Sequence, residues 1–312
     1  MALILGIDTS NYTTSAAIYD TCENTITQAK KLLPVKSGDC GIRQSDAVFR
    51  HVRQLPEIIS SLDFSKGKIE AVAVSSSPRE NEGSYMPCFL SGVSVAKSLS
   101  IVNNIPLYTF SHQQGHIAAA AFGAEREDLL SSPFIAFHVS GGTTEALLVK
   151  PQNNSGIKAE LIAHTTDLNA GQLVDRIGVM MGLDFPAGVC LEKLAEGNSE
   201  QIKIKPSLKR HNCCLSGFQN KISKLYAETQ DKAYTAAYTL KAVSSTLIAM
   251  TESLMAEYGE LPLLFVGGVM SNQLIRKDIL AKFNASFAPP QFSADNAAGV
   301  AYLGGRKFSA EG

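Results

Sequence analysis

Apolar residues run from Leu3 to Ile7 and stop at a hydroxyl-rich stretch, Asp8-Thr-Ser-Asn-Tyr-Thr-Thr14, before Ser15 to Tyr19 turns largely apolar again. Two short buried strands joined by such a turn predict a hairpin. From Asp46 to Leu62 the spacing becomes helical, with Val48, Val52, Leu55, Ile58, Ile59 and Leu62 on one side. Ile69 to Val74 predicts another buried strand. Cys88 to Ser100 predicts a helix carrying Phe89, Val93, Ala96 and Leu99 at helical intervals.

The order then recurs. Phe134 to Val139 predicts a strand, Ser140-Gly-Gly-Thr-Thr144 a turn and Glu145 to Val149 a returning strand, with a polar turn at 151–157. Leu173 to Met181 and Val189 to Glu196 read as helices, and Gln219 to Tyr258 is helix-rich. Leu263 to Val266 is a late strand ending at Gly267-Gly268, with a helix from about Ser271. A strand, a small-residue turn and a returning strand therefore occur twice, about 130 residues apart. That pattern predicts a duplicated α/β domain whose two turns face each other across a cleft, and a length of 312 residues also favours two domains.

Composition narrows the function classes. A hydrophobic share of 45% argues against intrinsic disorder. With 28 basic and 29 acidic residues, no global positive field marks a nucleic-acid binder. A local basic cluster is present at Lys203, Lys205, Lys209, Arg210 and His211, and a solvated loop is an equal reading of it. The cysteines at 22, 40, 88, 190, 213 and 214 form no CxxC pair, which suits a reducing cytosol. The opening apolar run lacks the basic segment of a signal peptide, and no run approaches the roughly 20 residues of a membrane span. A soluble, cytoplasmic protein with no membrane partner is expected.

Both turns are Gly-, Ser- and Thr-rich loops between strands, able to present backbone N–H groups and hydroxyls to phosphate oxygens. Neither a GxxxxGK[ST] nor a GxGxxG string occurs. In Ser111-His-Gln-Gln-Gly-His116 two histidines stand four residues apart ahead of an alanine-rich helical run, Ile117 to Phe122. On one helix face, His112 and His116 make a two-point metal clip that needs a carboxylate from elsewhere. Such pairs also occur as hydrogen-bonded or solvated residues. Far along the chain, Ser293-Ala-Asp-Asn-Ala-Ala-Gly299 offers Asp295 at the start of a predicted helix.

Taken in order, these segments resemble the universal tRNA threonylcarbamoyladenosine-forming transferases, formerly called glycoproteases, of the actin–sugar kinase–Hsp70 superfamily. The resemblance rests on Ile4-Leu-Gly-Ile-Asp-Thr-Ser10, the two-histidine segment, Val139-Ser-Gly-Gly-Thr-Thr144, Asp175 followed by Gly182-Leu-Asp-Phe-Pro186, and Leu191-Glu-Lys-Leu-Ala195. Leu215-Ser-Gly217, Gly267-Gly-Val-Met-Ser-Asn272 and Ser293-Ala-Asp-Asn-Ala-Ala298 complete it. It implies two ribonuclease H-like domains with an interdomain cleft, the first at 1–130 completed by a C-terminal helix at about 295–312, the second at 131–294. It implies one divalent transition metal, Fe or Zn, held by His112, His116 and Asp295. ATP or an acyl-adenylate would be seated by Ser140, Gly141, Gly142, Asp175, Gly188 and Asn272. It further implies tRNA as a candidate acceptor and a paralogous partner protein sharing the first domain.

The departures fall elsewhere. The family's Cys-Asp-Asp/Glu-Thr string reads Asn11-Tyr-Thr-Thr14, and its Gly-Pro-Gly segment is replaced by Ser77-Pro-Arg-Glu-Asn-Glu-Gly83. Thr143 stands where His or Asn is common, Asp-Asp-Ala-x-Gly-Glu has become Asp167-Leu-Asn-Ala-Gly-Gln172, and a Gly-Gly is Ala187-Gly188. The expectation is a divergent paralogue: a metal-dependent, nucleotide-binding carbamoyl or threonylcarbamoyl transferase with an altered acceptor site. The alternative is a non-catalytic nucleotide-binding scaffold or regulator. A metalloprotease is rejected, because Gln113 occupies the place of the general-base Glu in HExxH enzymes. A sugar kinase is weaker, since no Asp stands out as base for a substrate hydroxyl.

Overall fold

The computed structural model describes residues 2–10, 12–34, 42–152, 156–293 and 296–311. Asn11, Cys40 and Asp295, all named above, lie outside the described residues. The chain divides into two compact units, Met1–Ser132 with Lys150–Ala159 and Gln291–Gly312, and Pro133–Val149 with Glu160–Pro290.

In the first unit the predicted hairpin is β1 (Leu3–Ser10) and β2 (Thr13–Asp20), paired antiparallel with Ser10 opposite Thr13. A third antiparallel strand, β3 (Thr25–Leu32), follows. Pattern reading misses it because it is a polar edge strand whose residues are all at least partly exposed. Helix α1 (Gln44–Ser60) leads to β4 (Ile69–Ser77), α2 (Phe89–Asn103) to β5 (Leu107–Ser111), and α3 (His112–Gly123) starts directly after it. The sheet order is β3-β2-β1-β4-β5, with β4 parallel to β1 and β5 parallel to β4.

Strand alternation decides which side chains go where. Leu3, Leu5 and Ile7 share a core cluster with Val72, Val74, Leu55 and Ile58. Ile4, Gly6 and Asp8 therefore point to the opposite face, where the C-terminal helix (Ala298–Glu311) packs on β1, β4 and α3. The buried stripe of α1 is Ala47, His51, Leu55 and Ile58. Val52, expected on that stripe, is 57% exposed, and His51 takes the place beside β2 because Thr14 Oγ1 meets its Nδ1 at 2.8 Å.

The second unit repeats the plan with β6 (Phe134–Val139), β7 (Thr144–Pro151) and β8 (Ile157–His164). Next come α4 (Ala170–Met180), α5 (Gly188–Ala195), a short ribbon of β9 (Leu208–Lys209) and β10 (Asn212–Cys213), α6 (Ser216–Thr229) and α7 (Lys232–Tyr258). β11 (Leu263–Val266), α8 (Gln273–Leu280) and β12 (Ala285–Phe287) finish it. The sheet order read from its far edge is β8-β7-β6-β11-β12, the same sequence of third, second, first, fourth and fifth strand as in the first unit. Stacked Phe137 and Phe265 rings, 4.7 Å apart, lie in a core that Leu173, Ile177, Val243 and Leu247 help to close. Helix α7 is buried along much of its length, and Thr235, Thr239, Thr246 and Thr251 satisfy their hydroxyls by donating to carbonyls one turn back. No helix among the described residues is long and apolar enough to cross a membrane.

Candidate active site

The histidine segment folds as its spacing predicts. Ser111 caps α3 by accepting from Gln114 N at 3.2 Å, while Gln114 Oε1 accepts from Ser111 N at 2.7 Å, so Gln114 serves the helix start. The two imidazoles converge with His112 Nε2 and His116 Nε2 2.9 Å apart. His112 Nδ1 lies 2.7 Å from Asp8 Oδ2, a carboxylate whose side chain is 1% exposed. Asp8 Oδ2 also accepts from Ser75 Oγ at 2.5 Å, and Oδ1 accepts from Ser10 N at 2.8 Å. An ionised carboxylate only accepts, so Asp8 fixes the His112 proton on Nδ1 and leaves the Nε2 lone pair facing His116.

Asp8 belongs to this site and was not singled out above. Its signal was available: it stands two residues beyond Gly6 and four beyond Ile4 on the face that packs on the C-terminal helix. That helix comes so close to α3 that a Cβ on Gly299 would lie 1.8 Å from Gly115 O. Among the described residues, no three His, Cys, Asp or Glu side chains group as a metal site. Asp295, the expected third ligand, lies outside the described residues.

The positions expected to seat a nucleotide lie in the second unit. Gly141, Asp175, Gly188 and Asn272 line a single cavity of about 410 Å³, with Gly268 and Ser271 beside them and Val174, Val189, Leu240 and Ile275 as apolar walls. This volume falls in the small-molecule range. The turn is held against α4: Gly171 N donates to Ser140 O at 3.1 Å, and a Cβ on Gly171 would lie 2.6 Å from Gly141 N. Ser140 and Gly142 sit on this turn without lining the cavity. Ser140 Oγ accepts from Gly142 N at 3.3 Å and Thr143 N at 3.1 Å. Two of the N–H groups expected to face phosphate are thus turned onto Ser140, whose own hydroxyl proton stays available.

Asp175 Oδ1 accepts from Ala187 N at 2.8 Å, tying α4 to the start of α5. Asn272 is the N-cap of α8, its Oδ1 accepting from Ile275 N at 3.0 Å, which leaves its amide group for a ligand. Glu192 also lines the cavity and accepts from Gln273 N at 2.6 Å. It was missed, although it stands one helical turn beyond Gly188 on α5.

The altered positions have identifiable local roles. Thr13 and Thr14 are buried, and Thr14 Oγ1 donates to Gln54 Oε1 at 2.8 Å, while Tyr12 is 39% exposed. Pro78 O accepts from Gln113 N at 3.1 Å, which sets the replaced 77–83 segment against the first turn of α3. Glu80 in that segment accepts from Ala159 N at 3.3 Å, and burial pushes its carboxyl above the usual range. Gln172 completes a capping box with Asn169, whose N donates to Gln172 Oε1 at 3.2 Å. Asp167 gathers Leu215 N at 2.9 Å, Cys214 Sγ at 3.0 Å and Ser216 Oγ. Burial works against its ionisation, but these hydrogen bonds together outweigh it and hold the carboxyl well below the usual range.

Comparison with known proteins adds the family. A family model described as tRNA N6-adenosine threonylcarbamoyltransferase matches residues 23–302. A curated protein of that name from Campylobacter fetus subsp. fetus is 31% identical over 322 residues, covering 98% of this chain and 92% of its own. Among solved structures, T. kodakarensis HypF is similar at a TM-score of 0.61 and 13% identity, over 99% of this chain and 48% of that one. A ROK family glucokinase from Streptomyces griseus, in complex with glucose and AMPPNP, is similar at 0.52 and 13% identity over 99% of both chains. At these identities the likeness concerns the fold alone: two α/β units whose five-stranded sheets share one strand order, as in duplicated ribonuclease H-like domains.

Proposed function

We propose that this chain, which belongs to the tRNA N6-adenosine threonylcarbamoyltransferase family, is a metal-dependent transferase that binds an acyl-adenylate and passes its carbamoyl-type group to an acceptor through altered acceptor contacts. The observation that carries the reading is the oriented histidine pair. Two nitrogens at about 2.0–2.1 Å from one cation lie about 3.0–3.4 Å apart, and the two Nε2 atoms stand 2.9 Å apart. A carboxylate behind the other nitrogen of a ligating histidine is the usual support for such a site, and Asp8 supplies it. The donor set therefore fits a divalent transition metal, with Asp295 as the added carboxylate; two imidazoles and one carboxylate suit Fe or Zn. When bound, such an ion would polarise the phosphate–carbonyl end of threonylcarbamoyl-adenylate.

The second unit recognises the nucleoside part. Its apolar walls take the adenine, while the Asp175 carboxylate and the Asn272 amide hydrogen-bond the ribose or base. The Ser140 hydroxyl donates to phosphate, and positioning with electrostatics supplies most of the rate. The family name makes tRNA the first acceptor to test, with a paralogous partner protein and a cytoplasmic setting.

A second reading, a nucleotide-binding scaffold without turnover, is favoured by one observation: Tyr12 and Thr13 stand where relatives carry acids. Neither a phenol nor an aliphatic hydroxyl takes a proton from an amine near neutral pH. Against it, the histidines keep their orienting carboxylate. The test is a strain lacking its ordinary family member and carrying only this chain. Weak or absent tRNA threonylcarbamoylation is expected there, and full restoration of the modified adenosine would overturn the altered acceptor site.

A further inference from the structure

β4 and β5 keep parallel register from Val72 opposite Leu107 to Ser75 opposite Phe110, after which Ser77 rather than Ser76 stands opposite Ser111. Ser76 is therefore an extra residue, and a bulge of this kind re-aims side chains at the end of a strand. Its hydroxyl donates to Phe110 O at 3.3 Å. The segment that follows, Ser77 to Gly83, is one that differs from the family. Ser77 Oγ donating to Arg79 O at 2.9 Å and Arg79 N donating to Ser84 Oγ at 3.0 Å hold it in place.

Beside the bulge lies a cavity of about 320 Å³, wholly within the first unit. Ser76, Ser77 and Glu80 line it together with Gln114 of α3, Gln152, and Lys307 of the C-terminal helix. The start of β8 is fastened to these walls: Gln114 Nε2 donates to Ile157 O at 2.6 Å, and Ala159 N donates to Glu80 Oε2 at 3.3 Å. Gln114 stands two residues from each histidine, about 200° around α3, so the cavity and the histidine pair lie on different sides of that helix. The volume is at the lower end of the small-molecule range. Phe110 is the one apolar side chain lining it among the described residues, so the cavity suits a hydrophilic occupant.

The lining carries one carboxylate and one ammonium. Neither Glu80 nor Lys307 makes an ion pair among the described residues. Burial pushes the Glu80 carboxyl above its ordinary range, and the Ala159 N–H and the Lys158 charge only partly offset it. A carboxylate in that state gains from a cation placed beside it. The Lys307 ammonium stands 5.3 Å from the centre of the Tyr108 ring, which steadies its head group. Ser76 and Ser77 have given their protons to backbone carbonyls, so their oxygens remain as acceptors.

We propose that this cavity binds a free α-amino acid, with its ammonium on Glu80 and the two serine oxygens and its carboxylate on Lys307. A simple anion would meet the Glu80 carboxylate and a simple cation the Lys307 ammonium, whereas a small zwitterion satisfies both charges with charge-assisted hydrogen bonds. Glu80 belongs to a segment that departs from the family, and the site stands apart from the transfer chemistry. Ser111 and Gln114 line the cavity and also form the capping box of α3, so an occupant touches the start of the helix that carries His112.

The experiment is equilibrium dialysis of the full chain against a uniformly ¹⁴C-labelled mixture of L-amino acids, with the retained label identified by chromatography. Saturable retention of at least one amino acid is expected, displaced by the same unlabelled amino acid and not by acetate or methylamine at equal concentration. Glu80→Gln and Lys307→Met, each shown to be folded by circular dichroism, should weaken binding about tenfold or more, since each removes a charge-assisted bond. Asp175→Ala, in the other cavity, should retain the label as the wild type does. No retention by the wild type, retention undiminished in both Glu80→Gln and Lys307→Met, or displacement by acetate or methylamine alone overturns the proposal. Retention lost in Asp175→Ala would place the amino acid in the nucleotide cavity and also overturn it.

Discussion

Replacing Asp8 by Asn changes one oxygen into an amide at the point where the histidine pair is oriented, and the consequences can be worked out atom by atom. In the wild type, Oδ1 accepts from Ser10 N at 2.8 Å, while Oδ2 accepts from Ser75 Oγ at 2.5 Å and faces His112 Nδ1 at 2.7 Å. Asparagine has one acceptor oxygen for these donors. If its oxygen stays on Ser10 N, the NH₂ group meets His112 Nδ1. The imidazole proton must then move to Nε2, which removes the lone pair directed at His116. If the amide turns over, the NH₂ group meets the buried Ser10 N–H instead. Either way a buried polar group loses its partner, at a cost of about 1–3 kcal/mol.

The effect on metal is larger in kind. Loss of an outer carboxylate behind a ligating histidine typically weakens metal affinity about 10–100-fold, or about 1.4–2.8 kcal/mol. The assay is competition against a chromophoric chelator, with Zn(II) and with anaerobic Fe(II), and circular dichroism to confirm that the variant is folded. A dissociation constant within twofold of wild type in the folded Asp8→Asn variant would refute the orienting role.

Gly299→Ala should destabilise the chain by about 1–3 kcal/mol or more, because the added carbon would lie 1.8 Å from Gly115 O and 2.7 Å from Ala119 N, both backbone atoms. Gly217→Ala, with nothing within 4 Å of the added carbon, is the control, and equal denaturant midpoints for the two variants would contradict the close helix crossing. Asp175→Ala should reduce the ATP-induced rise in melting temperature without unfolding the chain, and an undiminished rise would mean the nucleotide lies elsewhere. Burial, partly offset by Asp8, lowers the pKa of His51 below its ordinary 6.5, so the unfolded chain takes up this proton first as pH falls. Stability should therefore decline as pH drops through about 6.5 towards the folded-state value and level off below it. His51→Gln should flatten that part of the melting-temperature profile, and an unaltered profile would exclude the contribution.

What could be read in advance follows from how strongly each feature is marked in the chain. Both hairpins and the α3 histidine face were legible because uninterrupted apolar runs and a four-residue spacing leave few alternatives. Strand β3 was not, since the residues of Thr25–Leu32 are polar enough to sit on an edge with no buried side. His51 defeated the apolar template for α1, because its place in the stripe is secured by Thr14 rather than by hydrophobicity. Gly141, Gly188, Asp175 and Asn272 were named from their motifs and line one cavity, whereas Glu192 was not named, and the local roles of Asp175 and Asn272 as tie and cap were not read either. Asn272 caps α8 and Asp175 ties Ala187, and those bonds depend on helices that meet only in the fold. Ser140 was read as part of a phosphate cradle, whereas its oxygen takes two N–H groups of its own turn.

The most direct test of the transferase reading is AMP release from threonylcarbamoyl-adenylate by the purified, metal-loaded chain, with and without tRNA, followed by chromatography under single-turnover conditions. The account predicts release of AMP above the spontaneous rate, reduced by His112→Ala and by Asp175→Ala in folded protein. AMP release no faster than the spontaneous rate, in protein that binds the adenylate and holds about one metal ion per chain, would contradict it and leave a nucleotide-binding scaffold.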